Sequence, residues 1–228
     1  MTKLLQSDDL ARVACSTCAG CGDCCRGMGD TIHLDPYDIY MLCRGLHKQF
    51  STLLHTNIEL HADNGLVLPY LMMAESSGIS PAASPAASGT AGFSAPSACT
   101  FLNEEGRCTV HAFRPGLCRL FPLGRNYEDG HFDYFIVENG CDMPGKSKIR
   151  ISTFLGIPEL KKYERFVADW HFFLKDLRFS LKDQPFETKS KTASLLLRLF
   201  FALPYESEEA AGFYDEFSAR MEYFRTQL

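Results

Sequence analysis

Cysteine carries most of the chemistry this chain could do. Cys18-Ala-Gly-Cys21-Gly-Asp-Cys24-Cys25 repeats a two-residue spacing that lets successive thiolates converge on one ion within a tight turn. Gly20 and Gly22 leave the backbone free to fold around such an ion. Adjacent side chains cannot easily point the same way, so one of Cys24 and Cys25 is available to a different atom or a different metal. A second set follows at Cys99, Cys108, Cys118 and Cys141. Pro115 and Pro122 fix the backbone around Cys118. Arg114 and Arg119 are placed to donate hydrogen bonds to thiolate sulfur and offset its charge, with a surface ion pair the less favoured reading of each.

Eight thiolates suffice for two four-cysteine zinc sites, for one cluster of several irons, or for a mixture. Cys18, Cys21 and Cys24 share the first spacings of the bacterial ferredoxin run, but its fourth cysteine and proline are missing. Thiolate softness suits both metals, so spacing alone does not choose. The histidines rank lower. His111 completes a C-x-x-H with Cys108, yet a histidine satisfied on a turn is the simpler account. His33 and His131 are weaker still. Cys15 extends the ladder backwards and leans towards being no ligand, and Cys43 falls on the apolar face of a helix, where free cysteine is a common core residue.

These side chains need elements to position them. The chain has 228 residues, 46% hydrophobic and 22% charged, enough for a packed core without disulfides. A net charge of −5 gives no general attraction to nucleic acid or anionic membrane. Asp8, Asp9 and Arg12 interrupt any apolar start, so no secretory signal is read. The longest apolar run, Leu195 to Leu203, is too short to span a bilayer. The expected location is cytoplasmic, where clustered cysteines bind metal more often than they cross-link.

A helix is expected from Pro36, capped by Asp35 with Asp38 in its first turn, and a second is read through Leu53 to Leu60. Leu66 to Met73 reads as a strand, and Pro69 suggests an edge. Residues 76–98, with Ser80-Pro-Ala-Ala directly repeated at Ser84, read as a flexible low-complexity insert. Arg125 to Val137 alternates around Asp129-Gly130 as a hairpin. Leu160 to Leu181 carries one long apolar stripe, read as a core face, and two further helices are expected around Leu195–Leu203 and from Ser207 to Phe224. The fold class is α+β. A small strand- and loop-rich cysteine core is flanked by helices, with a metal-binding domain over residues 1–150 and a helical segment over 151–228 packing on it.

Taken together, Cys18-x-x-Cys21-x-x-Cys24-Cys25, Cys99-x-Phe-Leu, Cys108-x-Val-His, Arg114-Pro-x-x-Cys118-Arg-x-Phe-Pro and Cys141-x-x-Pro-Gly-Lys resemble the CxxCxxCC, or YkgJ-type, zinc- or iron-chelating family. The resemblance covers about residues 15–148 without the insert. Position 111 is more usually tyrosine there, and Cys15 and Cys43 fall outside the pattern. It implies that the eight matching cysteines hold metal, as iron in an Fe–S cluster or as zinc, with a redox or catalytic role. One branch resembles flagellin lysine N-methylases, which would add a protein substrate and S-adenosylmethionine, although no glycine-rich nucleotide turn supports a methyl-donor pocket. A structural zinc module with its function on the helices is the other alternative. Zinc-finger reading of nucleic acid is set aside because the helix after Cys25 lacks a basic face. No catalytic residue is assigned.

Overall fold

A computed structural model describes residues 3–14, 21–74, 97–141 and 143–228. Residues 76–96 of the low-complexity insert, Cys15 and Cys18 lie outside the described residues. The fold is α+β: four two-stranded antiparallel sheets stand among seven α-helices in the described residues.

Strand β1 (Leu10–Ala14) precedes a single 3₁₀ turn, Asp23–Cys25. Helix α1 (Pro36–Leu46) starts where its residues demand. Asp35 accepts from the Asp38 amide at 2.8 Å, and Asp38 accepts from the Asp35 amide at 3.1 Å, a reciprocal capping box with proline at the first helical position. Ile39 and Leu42 face the core, while Cys43 and Leu46 are partly buried against it.

The helix expected through Leu53 to Leu60 does not form. Helix α2 (Phe50–Leu53) is one turn, and Ile58–Asp63 is instead strand β2, paired with β3 (Leu66–Leu71). Asn64 and Gly65 have φ of 50° and 90°, the left-handed pair that a two-residue hairpin turn requires. That turn dictates an extended partner for β3, and local helical spacing loses to it. Pro69, on the outer side, leaves its carbonyl free to accept from Leu34 at 2.8 Å, and Leu71 donates to Ile32 at 2.9 Å. The approach to α1 is thereby laid along the hairpin.

Strands β4 (Met73–Ala74) and β5 (Ala98–Cys99) form a short ladder. A 3₁₀ turn, His111–Phe113, leads through Pro115 into α3 (Gly116–Leu120). The expected hairpin is present as β6 (Leu123–Glu128) and β7 (His131–Ile136), turning at Asp129-Gly130. Strand β8 (Ser147–Arg150) pairs back with β1 and runs into α4 (Ile151–Leu155).

Helix α5 (Leu160–Leu181) buries Tyr163, Phe166, Trp170, Phe173, Leu174, Leu177 and Leu181, so its stripe is core. Helix α6 (Phe186–Leu197) begins earlier than its apolar run and passes into a π turn, Arg198–Ala202. Helix α7 (Ala210–Thr226) closes the bundle, with Phe166 edge-on to Phe217 at 4.7 Å and Tyr37 of α1 stacked on Tyr214 at 5.8 Å. The hydrophobic core is one cluster drawing on both sides of residue 150. Among the described residues, no helix is long and apolar enough to cross a membrane.

Candidate metal centre

The two cysteine segments meet through their backbones. Gly27 donates to the Ser97 carbonyl at 2.7 Å, and Arg26 bridges to Ala98. Gly22 sits at φ 68°, and a β-carbon there would stand 3.0 Å from the Gly106 carbonyl oxygen. Glycine is needed both for the left-handed backbone and for this approach. The 3₁₀ turn carrying Cys24 and Cys25 is therefore held against the loop that carries Cys108.

Five thiols stand around this junction, near enough to influence one another's ionisation. Cys24 is exposed, Cys99 is buried, and Cys25, Cys108 and Cys118 are partly buried. A hydrogen bond from Cys25 pulls the Cys24 thiol down to about 6, against burial, and the Arg114 guanidinium acts in the same direction. The same bond pushes Cys25 up, as do burial and the neighbouring Cys24, Cys99 and Cys108. Burial also raises Cys99, which feels Cys108 and Cys24, and Cys108, which feels Cys24. Burial raises Cys118 too, followed by Asp38 and then Cys99, Cys108 and Cys24. Cys43 differs: burial alone lifts it to about 11, with no partner thiol contributing.

The remaining candidates have other partners. Cys21 lies 3.0 Å from Asp23 Oδ2. The Cys141 carbonyl accepts from Lys146 Nζ. The two arginines differ from each other. Arg114 contacts the His111 ring, bears electrostatically on Cys24 and Cys108, and leaves its buried Nε without a hydrogen-bond partner. Arg119 turns to the backbone instead, donating to the carbonyls of Arg114 and Ala112. It fastens the loop before Cys118. His131 lies at the start of β7 with its ring 3.4 Å from the Asp129 carbonyl, and His33 lines a separate cavity.

The donors fit a soft metal in kind, being thiols from three separate stretches of chain. Among the described residues, no three cysteine, histidine, aspartate or glutamate side chains converge closely enough to hold an ion. The thiols are gathered rather than closed.

Behind Cys118 the fold holds a feature that motif spacing does not reveal. Asp38 Oδ1 accepts from the Gly116 amide at 2.7 Å, tying α1 to the start of α3. Asp35, Asp38, Leu117 and Arg125 all line one cavity of about 300 Å³. The available signal was Arg125, a charge on the face of β6 that also carries Leu123 and Tyr127.

The family model of the CxxCxxCC domain, described as a "putative zinc- or iron-chelating domain", matches residues 17–141, more than half of the chain. The chain belongs to this family. The matched stretch begins beside Cys18 and ends on Cys141, so it contains all eight candidate thiols and excludes Cys15. No curated protein and no solved structure matches the chain.

Proposed function

We propose that this CxxCxxCC protein holds iron as an iron–sulfur centre on Cys18, Cys21, Cys24, Cys25, Cys99, Cys108, Cys118 and Cys141. The observation that carries this reading is the backbone junction of residues 22–27 with 97–106, which brings the two cysteine segments together so that five thiols bear on one another's ionisation. One four-cysteine zinc site does not need so many. The paired Cys24 and Cys25 offer ligands in two directions. When bound, such a centre supplies one-electron or Lewis-acid chemistry, and the protein tunes it. The residues of this chain gather the thiols, and Arg114 offsets negative charge as they ionise. Residues 1–150 form the metal-binding unit and 151–228 brace it. A reducing cytoplasm keeps the thiols available.

The test is purification without oxygen, followed by measurement of iron, zinc and acid-labile sulfide together with visible absorption. Stoichiometric iron and sulfide in a brown protein support the centre. Colourless protein that retains one or two zincs after iron-and-sulfide reconstitution overturns it, and leaves a structural zinc module.

A further inference from the structure

The cavity behind α3 has a guanidinium and two carboxyls in its walls that act on one another electrostatically without a direct hydrogen bond. Arg125 enters from β6 with its guanidinium over the rings of Phe132 and Tyr163, at 5.2 Å and 5.6 Å. It donates to Tyr163 Oη at 3.2 Å and to Tyr127, both neutral partners, and its buried Nε has none. In the same cavity Asp35 and Asp38 are 8% and 3% exposed. Their hydrogen bonds come from the backbone amides of Asp38 and Tyr37 to Asp35 and of Asp35 and Gly116 to Asp38, which leave further acceptor capacity on each carboxylate. The other charged pair in the wall, Arg178 and Asp63, is bonded to itself. Burial raises both carboxyls even though Arg125 opposes it from a distance, and a ligand carrying both complements would relieve the cost of charge at both ends.

We propose that this cavity binds a free α-amino acid, its carboxylate on Arg125 and its ammonium on Asp35 and Asp38. A planar guanidinium takes a carboxylate through two parallel hydrogen bonds, and a compact ammonium suits acceptor oxygens. The volume of about 300 Å³ lies at the small end of the usual 300–1,000 Å³ for ligand pockets, which suits a molecule of this size. Leu68, Val167, Trp170 and Leu174 give the wall an apolar stretch, with His33, Tyr127 and His171 beside it, so the side chain accepted is a large one with an apolar body. The site depends on none of the thiols and stands whichever metal they take.

Trp170 lines the cavity and is the chain's one tryptophan, so its fluorescence reports occupancy. L-Leucine, L-phenylalanine and L-methionine are titrated into the full, metal-replete chain, beside 4-methylpentanoate and 3-methylbutylamine, which carry only one of the two charges. The expected result is saturable change with at least one amino acid, tenfold or more weaker with either single-charge compound and with Arg125→Gln. If Arg125→Gln does not fold, the single-charge compounds make the same comparison on the unaltered protein. Absence of saturable change with all three amino acids, or equal binding of a single-charge compound, overturns the proposal.

Discussion

Cys43→Ser and Cys118→Ser remove the same atom from two thiols with different surroundings. Cys118 feels Cys99, Cys108 and Cys24, whereas burial alone shifts Cys43. Cys118→Ser is expected to lower bound metal by at least one whole site, and Cys43→Ser to leave it unchanged, as read by elemental analysis per chain. Equal losses would bring Cys43 into the centre. Asp38 gives a second prediction. Burial is the main force lifting its carboxyl from 3.8 to about 6. The folded chain therefore holds this proton more tightly than the unfolded one. The stability it contributes is complete below about pH 4 and is lost as pH rises through 6, on the order of 2–3 kcal/mol. Asp38→Asn removes that dependence, so urea midpoints should shift in favour of the variant between pH 4 and pH 7. An unchanged difference would mean an ordinary carboxyl. The thiols were legible because their types and spacings state a chemistry on their own. The cavity was not, because Asp35 and Asp38 already have a sufficient explanation as helix caps.

Among the elements, α3 is the hinge between the thiols and the cavity. It begins at Gly116, where a β-carbon would collide with Tyr163 Oη. Gly116→Ala must displace the tyrosine and strain the bond to Asp38, which overpacking precedent puts at about 1–3 kcal/mol. Thermal or urea unfolding measures this, and a loss below about 0.5 kcal/mol would show that Tyr163 yields freely. Elements with their own punctuation were readable: the Asp35-Pro36 cap of α1, the Asp129-Gly130 turn and the single stripe of α5. The stretch from Leu53 to Leu60 was not. Its apolar residues fit helical spacing, but the Asn64-Gly65 turn and pairing with β3 decide for a strand, and pairing is a non-local choice.

Over the whole molecule the thiols and the aromatic core are supported differently. Phe166, Trp170, Phe200, Phe213 and Phe217 interlock among α5, the π turn and α7 with no cysteine among them. Chelation should therefore raise amide hydrogen exchange over residues 21–27 and 97–120 while α5 and α7 stay protected. Loss of protection everywhere would mean that the metal holds the whole fold. The meeting of residues 22–27 with 97–108 could be expected from the motifs, but which backbone groups join them rests on contacts far apart in sequence. One such contact also orders events in time. Every candidate thiol lies between β1 and β8, and β1 has no partner until Ser147–Arg150 has been made. On the ribosome the first cysteines emerge and then wait. At about 5–20 residues per second, the wait from Cys24 to β8 is on the order of ten seconds. For that interval the nascent chain presents a loose thiol motif to whatever soft metal is free, so the metal it finally keeps depends on exchange after closure as well as on first capture.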